Sequence, residues 1–257
     1  MDIIRTQTEL NTALSNHRKQ GEKIGFVPTM GALHEGHLSL IQCVQQHSEC
    51  IVVSIFVNPT QFAPHEDFDS YPRDEAQDAK KLEDAGVDIL FLPTESILYP
   101  AGYDSNIKAG DAAQGLETIF RPHFFDGVVN VVYRLFNAVK PDIAVLGEKD
   151  FQQLQVIKEM VQSQNLPIKI IGAPIIRDKH GLALSSRNAY LSEDELNIAR
   201  QLNQILRTTA KTQNIEETKN ALLSAGFDKI DYIEKKWNRI LAAAWLGKTR
   251  LIDNIAT

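Results

Sequence analysis

Apolar residues recur along this chain in two rhythms, short β-branched runs and longer stretches with helical spacing. Ile3-Ile4 reads as a short strand, and Thr6-Gln7-Thr8-Glu9 fits a capping box opening a helix that Gly21 can end. Residues 23–27 finish in an apolar run that Pro28 is not expected to continue, and a small-residue turn then leads into a helix. Residues 51–57 are rich in β-branched residues, as a strand buried on both faces should be. A charged helix reaches Ala85 and stops at Gly86, with Asp74, Glu75, Asp78, Lys80, Lys81, Glu83 and Asp84 forming a solvated face; residues 87–93 return as a strand. Residues 99–115, rich in Gly, Ala, Asp and Ser, have weak periodicity and read as a loop or loose excursion leading to Arg121-Pro122-His123-Phe124-Phe125-Asp126-Gly127. Helical spacing over 128–139, a break at Pro141, a buried strand at 143–146, a helix over 151–164 and a strand over 168–176 come next. The pattern is helical from Ser192 through Lys211 and over 215–225. Strands follow over 230–233, 240–246 and 250–252, the last two joined at Gly247-Lys248.

The alternation predicts an α/β fold, a Rossmann-like doubly wound parallel sheet, with a smaller C-terminal α+β domain. The domains are expected at 1–189 and 190–257, the second closing over the site. There is no internal repeat or low-complexity segment.

Composition narrows the function. A chain of 257 residues that is 43% hydrophobic can bury a sizeable core. Its longest apolar run, broken by Ser54, is far below the roughly 20 residues a bilayer requires, so no membrane role is expected. No charged-then-apolar leader opens it, and Cys43 and Cys50 are too few for a disulfide scaffold, which makes the cytoplasm the expected location. A net charge of -6 argues against a nucleic-acid surface and for small-molecule chemistry.

That chemistry centres on Pro28-Thr29-Met30-Gly31-Ala32-Leu33-His34-Glu35-Gly36-His37. Gly31, Ala32 and Gly36 let a backbone bend closely around a ligand, and His34 and His37 share one face of a helix's first turn, where unpaired N–H groups favour an anion. On spacing alone, two half-buried polar histidines fit better; the glycines and the preceding strand favour a phosphate site. Zinc is discarded for want of a third ligand, and no metal site is expected. Asn58-Pro59-Thr60-Gln61-Phe62 follows the next strand, and in an open parallel sheet its amides would lie beside the histidine loop, although an ordinary turn explains Asn58-Pro59 as well. Gly147-Glu148-Lys149-Asp150 places charge just past another strand. Leu182-Ala183-Leu184-Ser185-Ser186-Arg187-Asn188 pairs hydroxyls with an arginine, as a polyphosphate site or a common turn would.

Together with Phe151-Gln152-Gln153 and Thr249-Arg250-Leu251-Ile252-Asp253-Asn254, these stretches resemble the pantothenate synthetase (pantoate–β-alanine ligase) family of the nucleotidylyltransferase superfamily, marked by His-x-Gly-His. The resemblance runs nearly end to end. It implies joining of pantoate to β-alanine with ATP, through pantoyl adenylate and pyrophosphate, with Mg2+ bound to ATP and a homodimer as the usual assembly. It implies that Met30, Gly31, Ala32, Leu33, His34, Glu35, Gly36 and His37 cradle the triphosphate. Ser185, Ser186 and Arg187, beside Leu184, would grip pyrophosphate, and Lys149, next to Glu148, would add positive charge. Gly147 and Asp150 are expected at the ribose, Ile176 at the adenine, and Gln61 and Gln153, with Asn58, at pantoate. Where the family usually reads Arg-Pro-Gly-His-Phe-x-Gly-Val, His123 sits one place early: either the backbone bulges and returns the imidazole to the pantoate wall, or Phe124 lines the wall in its stead, the reading that a one-for-one alignment from Arg121 to Gly127 favours. The part beyond Tyr190 is short for the family, which implies a reduced lid. A different adenylyltransferase and a non-catalytic ATP-binding protein are the rivals; the matches at Gln61 and Gln153 count against both.

Overall fold

The computed structural model describes residues 1–63, 66, 68–103 and 107–257. Part of the loop expected over 99–115, residues 104–106, lies outside them. The chain divides into two compact units: Met1–Glu148 with Gln152–Ala173, and Lys149–Phe151 with Pro174–Thr257. The break after Ala173 precedes the boundary expected near Tyr190 from the change in pattern.

In the larger unit, β1 (Asp2–Ile4), α1 (Gln7–Lys19), β2 (Ile24–Thr29), α2 (Glu35–Gln45), β3 (Cys50–Ile55), α3 (Glu75–Asp84) and β4 (Ile89–Phe91) come first. Then come α4 (Glu95–Leu98), α5 (Glu117–Phe120), α6 (Phe124–Val139), β5 (Ile143–Gly147), α7 (Phe151–Ser163) and β6 (Lys169–Ala173). The six strands form one parallel sheet in the order β1-β4-β3-β2-β5-β6. The chain steps outward from β2 to β4 and then restarts at β5 on the other side of β2. The strand order therefore reverses between β2 and β5, and the loops after these two strands open on the crevice where such sheets bind ligands.

Local chemistry explains the elements. Thr6 and Glu9 form the expected capping box of α1. On α6, Phe125, Val128, Val129, Val132, Leu135, Phe136 and Val139 are buried at helical spacing, and Phe136 meets Phe26 of β2 edge-on at 6.1 Å. Each such side chain contributes about 1.5–3 kcal/mol through burial. A second core layer joins Leu40, Ile41 and Val44 of α2 to Val27, Val53, Leu82, Leu90 and Val145.

Two expectations fail for identifiable reasons. Strand β2 continues through Pro28 to Thr29. Its pairing with β5 stops at Phe26↔Ala144, whereas pairing with β3 reaches Thr29↔Ile55. Ile24 exchanges backbone and side-chain bonds with Asp142 ahead of β5, so alternate residues, Pro28 included, turn their nitrogens to that side, beyond the end of the ladder. Asp78, expected in solvent, is only 2% exposed. Helix α6 also begins at Phe124, earlier than the apolar spacing indicated, and the region before it contains α4 and α5.

The smaller unit carries α8 (Glu193–Ala199), α9 (Gln201–Thr212) and α10 (Ile215–Ala225), then the antiparallel strands β7 (Lys229–Lys236), β8 (Arg239–Leu246) and β9 (Thr249–Ala256) in that spatial order. Leu202, Leu206 and Leu222 of its helices pack with Ile233, Ile240, Ala242, Ala244, Leu246 and Leu251 of its sheet. Gly247-Lys248 makes the β8–β9 turn, as expected, since Leu246 pairs with Thr249. The β7–β8 turn uses Trp237 and Asn238, both left-handed at φ 51° and 54°, the twist that suits a two-residue hairpin.

Candidate active site

The turn after β2 is left-handed at two successive residues, Gly31 (φ 82°) and Ala32 (φ 52°). Such a turn needs support, which Asp78 supplies from α3: its two carboxylate oxygens accept from the backbone N–H of Ala32 and of Leu33, both at 2.8 Å. Lys81, one turn further along α3, donates to the Leu33 carbonyl at 2.6 Å. Sequence reasoning missed Asp78 because it sits among like-looking charges; the signal present was its placement one turn before Leu82, the buried apolar position of that helix.

His34 caps α2 and His37 lies in its first turn. Gly36 N–H donates to His34 Nδ1 at 3.1 Å, and His34 N–H donates to His37 Nδ1 at 3.3 Å. The rings lie 4.2 Å apart. Because each Nδ1 accepts from the backbone, each neutral ring carries its proton on Nε2 and presents a donor there. A helix N-terminus with two such donors suits an oxyanion.

Gln61 ends the 3-10 turn Pro59–Gln61 after β3 and donates from Nε2 to Met30 Sδ at 2.9 Å, so the expected neighbourhood of this amide and the histidine turn is present. Three contacts hold the turn. Asn58 Nδ2 donates to the Gly127 carbonyl at 3.2 Å, Arg121 Nη2 donates to the Gln61 carbonyl at 3.2 Å, and Gly127 lies directly against the Thr60 backbone. Asn58, only 1% exposed, also bonds Gln61 Oε1 (3.3 Å), Thr60 Oγ1 (3.0 Å) and the Tyr99 hydroxyl (2.8 Å). Its amide is thus engaged by the protein itself. Burial pushes the Tyr99 hydroxyl up from its ordinary pKa, keeping it the donor in that bond. Arg121 forms a two-pronged pair with Glu66 at 2.7 Å and lies 3.8 Å from the Phe124 ring centre, while His123 is exposed. Gln153 is half-buried on α7, and its neighbour Gln152 is buried, accepting from Glu117 N–H at 3.0 Å. Gly147 closes β5 and Glu148 follows it.

In the smaller unit, Lys149 is half-buried and Asp150 exposed. Leu184 N–H donates to the Ile176 carbonyl at 2.9 Å, and Arg177 bridges to Ala183, closing a loop that carries the chain to Ser185, Ser186 and Arg187. Ser185 Oγ accepts from Arg187 N–H at 3.3 Å, and Asn188 Nδ2 donates to the Ala183 carbonyl at 3.0 Å. The expected residues thus fall into a histidine–glutamine group on one unit and a lysine, hydroxyl and arginine group on the other.

A six-stranded parallel sheet with helices, and a His-x-Gly-His turn at its point of reversal, define a Rossmann-like α/β enzyme. A pantoate-beta-alanine ligase family model matches residues 2–256. The pantothenate synthetase of Mesorhizobium japonicum is 50% identical over 274 aligned positions, covering 99% of this chain and 97% of that protein. That of Hyphomonas neptunium is 47% identical, covering 100% and 96%. The crystal structure of pantothenate synthetase from Thermus thermophilus superposes with a TM-score of 0.90 at 37% identity, covering 100% of this chain and 99% of that one. The pantoate-beta-alanine ligase of Francisella tularensis, solved with beta-gamma ATP and beta-alanine, gives 0.92 at 42% identity, covering 100% and 97%. The chain belongs to the pantoate-beta-alanine ligase family.

Proposed function

We infer that this chain condenses pantoate with β-alanine, consuming ATP and releasing AMP and pyrophosphate. A carboxylate oxygen of pantoate bonds to the α-phosphorus of ATP while the bond to the bridging oxygen breaks, giving pantoyl adenylate and pyrophosphate. The amine of β-alanine then attacks the acyl carbon, AMP leaves, and the amine loses a proton.

Both steps bring anions together, so alignment and charge stabilisation are the protein's task. We propose that His34 and His37 donate from Nε2 to phosphate oxygens. The observation carrying this is the interlocked pair of backbone bonds to both Nδ1 atoms, which fixes the tautomer each donor needs. Met30 to Gly36 flank the phosphates, Lys149 and Arg187 offset their charge, and Ser185 and Ser186 bind the leaving pyrophosphate. Gly147, Glu148 and Asp150 take the ribose side, and Ile176 and Leu184 the base. Gln61 and Gln153 hold pantoate, and Asn58 serves through Gln61, whose amide oxygen it binds. Mg2+ arrives on the phosphates of ATP as part of the substrate, which asks for no protein ligand set; among the described residues no three His, Cys, Asp or Glu side chains gather to provide one. We propose a cytoplasmic homodimer, as the family resemblance implies, with residues 190–257 serving as its lid domain.

Pyrophosphate release measured with ATP plus pantoate, ATP plus β-alanine, and all three tests the reading. Pyrophosphate is expected only where pantoate is present, and AMP with pantothenate only in the complete mixture. Release indifferent to pantoate would refute it.

A further inference from the structure

Residues 249–254 carry part of the family resemblance without a chemical role of their own. They lie on β9, where side chains alternate between faces, so the consecutive Asp253 and Asn254 leave the strand in opposite directions. Both are buried, at 4% and 2% exposure. A buried polar residue implies obligatory partners, and these are specific.

Asp253 accepts from Arg177 Nη1 and Nη2 at 2.6 and 2.7 Å, and from Asn203 Nδ2 at 3.3 Å. Arg177 also donates to the carbonyls of Gly181 (3.0 Å) and Asn254 (3.3 Å), and its backbone pairs with Ala183. The carboxylate therefore fixes the base of the loop leading to Ser185, Ser186 and Arg187. On the opposite face, Asn254 Oδ1 accepts from Arg239 Nη1 at 2.7 Å. With its oxygen so assigned, the amide turns Nδ2 outward, and this donates to the Lys149 carbonyl at 3.1 Å. Arg239 lies 4.3 Å from the Phe151 ring centre, and the Trp237 ring lies 6.2 Å from it on the neighbouring turn. Lys149 is thus held by the small antiparallel sheet, at a sequence distance of 105 residues from its anchor.

We propose that Asp253 and Asn254 are paired positioning residues, Asn254 setting Lys149 and Asp253 setting the loop of Ser185 and Arg187. This rests on the reading of Lys149 and Arg187 as phosphate-binding cations. One strand then fixes both cationic groups with a single register.

Double-mutant cycles on the full chain test it, with the adenylation rate, both substrate Michaelis constants and the melting temperature as readouts. Asn254→Ala should slow adenylation roughly tenfold and leave the pantoate Michaelis constant unchanged, the scale of one positioning hydrogen bond. Asn254→Asp keeps the shape and the Arg239 bond but loses the donor, and should match it. In a Lys149→Ala background, Asn254→Ala should cost less than about twofold more. Asp253→Asn should raise the ATP Michaelis constant roughly tenfold, and do so only while Arg187 is present. Losses that multiply in full in either cycle, or that follow the melting temperature alone, would overturn the positioning role while sparing the function of the cations. A silent Lys149→Ala would overturn the reading of that cation, and the Asn254 role with it.

Discussion

Replacing Gly127 by alanine should damage pantoate use more than it damages stability. A Cβ at this position would lie 2.4 Å from the Thr60 carbonyl oxygen, 2.7 Å from its carbon and 3.0 Å from the Gln61 nitrogen. All three are backbone atoms, so no rotamer change relieves the clash. Ordinary contact begins near 3.4 Å, so the turn must retreat by about 1 Å. The bonds from Asn58 to the Gly127 carbonyl and from Arg121 to the Gln61 carbonyl, each already 3.2 Å, would stretch with it. Overpacking costs about 1–3 kcal/mol, against which the better helix propensity of alanine returns at most about 1 kcal/mol. For a unit of this size the melting temperature should fall by a few degrees, about 2–4 °C per kcal/mol. The catalytic effect should be larger, since a misplacement of about 1 Å in a positioning group can cost on the order of 100-fold. Initial rates of pyrophosphate release, with pantoate varied at saturating ATP and ATP varied at saturating pantoate, separate the two. A folded Gly127→Ala enzyme with unchanged pantoate kinetics would refute the proposed role of Gln61.

Asp78→Asn removes one of two acceptors from a buried site that serves two backbone N–H groups, and should cost about 1–3 kcal/mol by denaturant titration together with slower adenylation; parent-like values in both would show that the turn holds itself. His37→Ala should lose roughly 2.7–4 kcal/mol of transition-state stabilisation in single-turnover adenylation, as when an oxyanion donor is removed, and an unchanged rate would return the ring to a capping role. His123→Ala should be silent in the same assay because that side chain is exposed. Phe124→Ala, by uncovering Arg121, should raise the pantoate Michaelis constant, and the reverse ranking would restore the histidine to the pocket wall. In the smaller unit, burial raises the Asp231 carboxyl, but the bond from Arg250 Nε at 2.7 Å and the Lys229 ammonium at 3.0 Å outweigh it and hold the group below the usual carboxylate range. Its contribution is therefore present above the unfolded pKa near 3.9 and lost as pH falls through the lower folded value. Arg250→Met should destabilise by about 3 kcal/mol at neutral pH, with the gap closing below about pH 3.9; an equal gap at both ends of the titration would exclude the ion pair as its cause.

The sequence disclosed what depends on neighbours in the chain. The capping box at Thr6, the histidine turn and the Gly247-Lys248 hairpin are local, and their residue types sufficed to locate them. Asp78 was hidden because its helix carries charge on four of its six exposed positions, and only the left-handed turn at Gly31 and Ala32 gives a carboxylate reason to be inside. Pro28 misled because the rule against proline concerns N–H groups that face a paired neighbour, and where β5 stops pairing cannot be read from β2. The neighbourhood of Gln61 and Met30 was legible from fold geometry, but the closure of Asn58 upon Gln61, Gly127 and Tyr99 was not, since its partners come from three separate stretches. The pairing of Arg177 with Asp253 spans 76 residues and has no local signature.

The Asn254–Lys149 bond also sets a timetable for biosynthesis. Chains emerge from the ribosome at about 5–20 residues per second, so β9 follows Lys149 by roughly 5–20 seconds. From the completion of β6 at Ala173 to the end of that interval, the central parallel sheet can pair all six of its strands while the segment Lys149–Phe151 still lacks its anchor. A nascent or prematurely terminated product would therefore hold a folded histidine turn and an unplaced lysine. Such a species should capture nucleotide weakly and turn it over far more slowly, so that full catalytic competence arrives only with the last strand made.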